Sequence, residues 1–139
     1  MSGRYPVPET GGALARRTTL GVVVAIVALL VTQAIVTALG IDVGASGAMS
    51  PFAAGPLIVT TVISGVGAAL VYAALATVTD RPARNFLAVS VGVFVLMLVP
   101  VAVVSPSIGV TTAGQAILVV YHALVAVPLV AFMLGAVDV

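Results

Sequence analysis

Four long runs of mostly apolar residues constrain this chain more than any other feature. About twenty apolar residues cross a hydrocarbon core as a helix. The expected spans are residues 18–40, 55–78, 86–104 and 115–137. Residues 79–85, reading Thr-Asp-Arg-Pro-Ala-Arg-Asn, part the second run from the third. Pro82 does not continue a helix and biases Arg81 away from helical geometry, and Asp80, Arg81 and Arg84 are costly in hydrocarbon. The stretch is read as a water-exposed turn joining two antiparallel spans.

Composition agrees. The chain has 139 residues, 62% hydrophobic and 6% charged, whereas soluble domains carry roughly a quarter charged residues. The expected fold class is all-α, an integral membrane bundle of four transmembrane helices in residues 18–139, preceded by a flexible cytoplasmic tail at 1–17. No cysteine is present, which removes disulfides, thiolate nucleophiles and Cys-held metals or clusters. A net charge of +1 gives no reason to expect nucleic acid as a partner.

The arginines orient the bundle. Arg16 and Arg17 close the tail, Arg81 and Arg84 lie in the central turn, and the loops at 41–53 and 105–114 hold no basic residue. The positive-inside rule therefore places both termini and the 79–85 turn in the cytoplasm, in a cell membrane, with Asp42 outside. Basic residues before an apolar run also describe a secretory signal, but this run exceeds the usual length and is read as a retained span. In the second span, Thr61, Gly65, Ala69, Ala73 and Thr77 recur at every fourth position. Small residues in such a row let helix backbones approach closely, so the row is expected to be a packing ridge inside the bundle rather than a self-dimerisation face.

Gln33 and His122 are the most strongly polar side chains deep in the spans. At about 1.5 Å rise per residue, Gln33 lies about 10 Å below Gly40 and His122 about 12 Å below Gly114. Ser64 falls near that level, as does the carbonyl of Leu96, which loses its helical partner to Pro100. Unsatisfied polar groups in hydrocarbon cost several kcal/mol, so these four are expected to turn inward as one layer. That layer either fixes helix register or builds a ligand-binding or proton-accepting cavity around His122. The four acids, Glu9, Asp42, Asp80 and Asp138, all fall in tails or loops, so no embedded acid is available for coupled transport. One histidine does not supply two haem ligands, and Asp42 lies too far above His122 for a hydrolytic triad.

Residues 55–130 carry Gly55-Pro56, Gly65-Val66-Gly67, the turn with Arg81 and Arg84, Thr111-Thr112, and Tyr121-His122-Ala123-Leu124 followed by Pro128. In these features the chain resembles an uncharacterised family of four-span membrane proteins of high-GC bacteria and halophilic archaea, a domain of unknown function. The resemblance implies the four-span architecture and the importance of His122, and no reaction. The expected function is a non-enzymatic structural or accessory subunit working through helix–helix contacts among membrane lipids, in a homo-oligomer or a larger membrane-protein complex, with no cofactor. The alternatives are a binder of a lipophilic molecule such as a quinone, carotenoid or lipid, and a small transporter.

Overall fold

The computed structural model describes residues 11–136. Helices α1 (Gly11–Ala38), α2 (Ala54–Val78), α3 (Pro82–Val103) and α4 (Thr112–Met133) follow one another, with a short 3-10 turn at Ser105–Ile108 before α4. All four α-helices are long and apolar enough to cross a membrane. Helix is the form such segments take, because it satisfies every backbone polar group within the segment. Among the described residues there is no strand, and the fold is all-α.

The helix boundaries have local causes. Pro82 occupies the first turn of α3, where its missing N–H costs nothing. The turn expected at 79–85 is therefore shorter than read, and Ala83, Arg84 and Asn85 are already helical, α3 beginning four residues before the expected start at Phe86. Thr79 ends α2, with both its N–H and its hydroxyl donating to the Leu75 carbonyl. Thr111 caps α4 by accepting from Gly114 N–H at 3.0 Å, the usual service of a threonine at that position. Helix α1 starts at Gly11 rather than near Thr18. The segment 11–17 is thus helical where a flexible tail was expected: after Gly11 and Gly12 come Ala-Leu-Ala-Arg-Arg, all good helix formers. Residues 1–10 and 137–139, with Glu9 and Asp138, lie outside the described residues.

Around the bundle, α1 packs most extensively on α4 and then on α2, α3 packs on α4, and α2 and α3 touch less. At Gly21 a Cβ would lie 3.2 Å from the Leu129 Cα, and at Gly65 a Cβ would lie 2.3 Å from the Val22 Cγ2. Glycine on each face therefore lets α4 and α2 close onto α1. Two buried clusters sit toward opposite ends. One joins Leu29, Phe52, Leu57, Val101, Val110, Leu118 and Tyr121; the other joins Tyr72, Phe86, Met133 and Leu134. Aromatic contacts anchor both, Phe52 on Tyr121 at 6.1 Å and Tyr72 on Phe86 at 5.1 Å.

The loop at one end is fastened rather than loose. Thr111 donates from its N–H to the Val43 carbonyl at 3.0 Å and from its hydroxyl to the Asp42 carbonyl at 2.6 Å, while the Asp42 carboxylate accepts from Gly44 N–H at 2.9 Å. Gly44 has φ +86°, and a Cβ there would lie 2.0 Å from the Gly109 carbonyl oxygen. Only glycine serves both demands. At the other end Arg17, half-buried, donates to the Met133 carbonyl at 3.2 Å, supplying a cation and a donor where α4 leaves carbonyls without helical partners.

Candidate functional site

Because α2 packs mainly on α1 and only sparsely on α3 and α4, a concavity of about 680 Å³ opens between α2, α3 and α4. Leu57, Ala68 and Val71 from α2, Val89, Val93 and Met97 from α3, and Leu118, Val125 and Leu129 from α4 give it an apolar wall. Thr60, Thr61, Ser64, Ser90, Tyr121 and His122 supply its polar side chains.

Each of these groups has a defined partner. Thr60 donates to the Pro56 carbonyl at 2.7 Å, Thr61 to Leu57 at 2.6 Å, Ser64 to Thr60 at 2.7 Å and Ser90 to Phe86 at 2.8 Å. These are bonds back to the preceding turn, the habit of Ser and Thr inside helices. His122 Nδ1 lies 2.7 Å from the Leu118 carbonyl. A carbonyl oxygen only accepts, so Nδ1 carries the hydrogen, and in the neutral ring Nε2 is left as an acceptor. The Tyr121 hydroxyl donates to the Gln33 side-chain oxygen.

The four-membered polar layer is therefore rearranged. Gln33 is half-buried and meets Tyr121, with its amide nitrogen 3.4 Å from the Thr37 hydroxyl in its own helix. Ser64 and His122 share the groove but are bonded to their own helices rather than to Gln33. The Leu96 side chain is 64% exposed and does not line the groove. Tyr121 is the partner that the sequence reading missed. Its signal was weak: Tyr121 adjoins His122, at the depth of Gln33, and a buried tyrosine hydroxyl usually finds a partner, but which helix it faces is not written in the spacing.

The small-residue ridge divides in two. Thr61 and Gly65 are buried, Ala69 is half-buried beside the Tyr72 cluster, and Ala73 and Thr77 are exposed. A row at every fourth position turns about 40° around the helix with each step, since a helix has 3.6 residues per turn. The later members consequently rotate off the α1 interface, and Tyr72 takes the buried position instead. Of the arginines read as orienting the bundle, Arg16, Arg81 and Arg84 are exposed. Among the described residues no group of three His, Cys, Asp or Glu side chains is placed to hold a metal ion.

A family model described as a family of unknown function (DUF6069) matches residues 9–138. No curated protein and no solved structure matches the chain.

Proposed function

Since the chain belongs to the DUF6069 family of unknown function, we propose from its own geometry that it is a small multi-pass membrane protein that holds a lipophilic molecule in the groove between α2, α3 and α4. The observation that carries this reading is the concavity itself. Its volume of about 680 Å³ lies in the range of small-molecule sites, roughly 300–1,000 Å³, which are mostly apolar with a few placed polar groups. We read the protein as non-enzymatic: His122 and Ser64 are bonded to their own helices, and the Asp42 carboxylate is engaged in its loop.

The test is to extract the protein in native-lipid particles and identify by mass spectrometry what travels with it. One lipophile near one per chain is expected, and it should be lost from an Ala126→Trp variant, whose ring fills the groove. Particles of both proteins carrying the same bulk lipids would overturn the reading.

A second reading, the accessory subunit acting through helix–helix contacts, is favoured by α3, of whose most apolar window only 11% is buried. That helix offers a broad face to a partner helix as readily as to lipid, and Gly92 on it has nothing near its Cβ position. Under this reading, native-lipid particles contain a second chain or further copies at fixed ratio. For either reading we propose that the termini, Arg81 and the first turn of α3 with Arg84 face the cytoplasm, because the arginines gather at that end of the helices.

A further inference from the structure

We propose that the groove selects lipophiles bearing a hydroxyl over otherwise identical molecules that lack one, an inference that rests on the lipophile-binding reading above. The argument follows the hydrogens. Thr60, Ser64 and Ser90 each own one hydroxyl hydrogen, and each donates it to a backbone carbonyl of its own helix. The Nδ1 hydrogen of His122 points at the Leu118 carbonyl, and the Tyr121 hydrogen at Gln33. Pro51 and Pro56, also on the lining, have no N–H at all. What these groups still offer the groove is lone pairs: Nε2 of the neutral imidazole and the outer faces of the hydroxyl oxygens.

A wall of acceptors without donors is a chemical preference. An alcohol or phenol brings the missing hydrogen and gains a bond in a low-dielectric setting, where hydrogen bonds are strong. A ketone, quinone or ether brings only further lone pairs, so His122 Nε2 gains no hydrogen and the ligand oxygen finds no donor, and the net worth of one hydrogen bond is forgone. Sites built to bond a hydroxyl reject the analogue lacking it more strongly than apolar pockets reject a change in size. The apolar wall takes the body of the molecule, and His122 takes the head.

Two matched pairs test this with the full-length protein in nanodiscs of saturated phosphatidylcholine: geranylgeraniol against its methyl ether, and a long-chain 4-alkylphenol against its anisole. Binding is read by native mass spectrometry as competition within each pair. The hydroxyl member is expected to bind about tenfold more tightly in at least one pair, as one net hydrogen bond allows, and the pair that shows it distinguishes an alcohol from a phenolic ligand. In His122→Phe the preference should fall to about twofold or less while the ether or anisole still binds, which also reports that the variant is folded. Ser64→Ala provides a second variant with the same expectation in weaker form. Equal binding of both members in both pairs overturns the selectivity. Binding of none of the four overturns the lipophile reading itself.

Discussion

Two tyrosines with opposite hydrogen-bond status separate packing from polar pairing at the residue scale. Tyr121 donates to Gln33 across the α1–α4 contact, whereas the Tyr72 hydroxyl is buried with no hydrogen-bond partner among the described residues. Removing the first should cost stability; removing the second should not. Tyr121→Phe is expected to lower stability by about 1 kcal/mol, in the range found for polar pairs between membrane helices. A double-mutant cycle with Gln33→Leu in reversible detergent unfolding measures the coupling. Tyr72→Phe keeps the ring against Phe86 and deletes an unpaired hydroxyl, so unchanged or raised stability is expected. A clear loss there would mean that the hydroxyl has a partner. Gly44→Ala places a methyl against the Gly109 carbonyl at a left-handed φ, and its cost should be about 1–3 kcal/mol, read in the same unfolding experiment. Much of this scale was hidden in the sequence. Gln33 stands out among apolar neighbours, but Tyr121 reads there as another bulky residue of a span, and its role depends on the rotation of α4 toward α1.

At the scale of the element, helix positions follow directly from where the chain changes chemistry. The apolar runs and the charges at Asp80, Arg81 and Arg84 mark α2 closely and α3 to within four residues, since charge is costly in hydrocarbon for reasons that need no tertiary context, while Pro82 opens α3 rather than standing outside it. The start of α1 was less legible: Gly11 and Gly12 read as a turn, and the helix formers after them won. The ridge on α2 was legible as far as Gly65, where the fourfold spacing still faced α1, and illegible beyond it. Substitutions divide the same way. Gly65→Leu forces α2 off Val22 and should destabilise by about 1–3 kcal/mol, as overpacking does. Ala73→Leu, at an exposed position of the same row, should leave thermal stability within about 0.5 kcal/mol of wild type. Equal losses for the two would show that the row packs along its whole length.

For the whole molecule, the residue order offered a cavity around His122 and Ser64, both of which line the groove, but not its position between α2, α3 and α4. The groove exists because α2 packs only sparsely on α3 and on α4, a relation among three helices that no spacing within one of them encodes. Orientation, by contrast, is carried by few charges and can be checked cleanly, as the chain has no cysteine to react in the background. Single cysteines replacing Ser46 or Ser107 should react with an impermeant maleimide on intact cells, and one replacing Ala83 should react only after lysis. Labelling of the Ala83 position from outside would reverse the assigned sidedness.

The fastening of Asp42 and Val43 to Thr111 also sets an order of events. Its partners lie 69 residues apart, with two complete spans between them, so a nascent chain that has delivered α1, α2 and α3 still has an open connection after α1. That connection closes only when the start of the last helix arrives, and the same threonine that closes it also caps that helix. Closure of this end therefore waits for the start of α4, and a chain interrupted before residue 111 lacks the partner that fastens its first loop and should leave that loop more accessible.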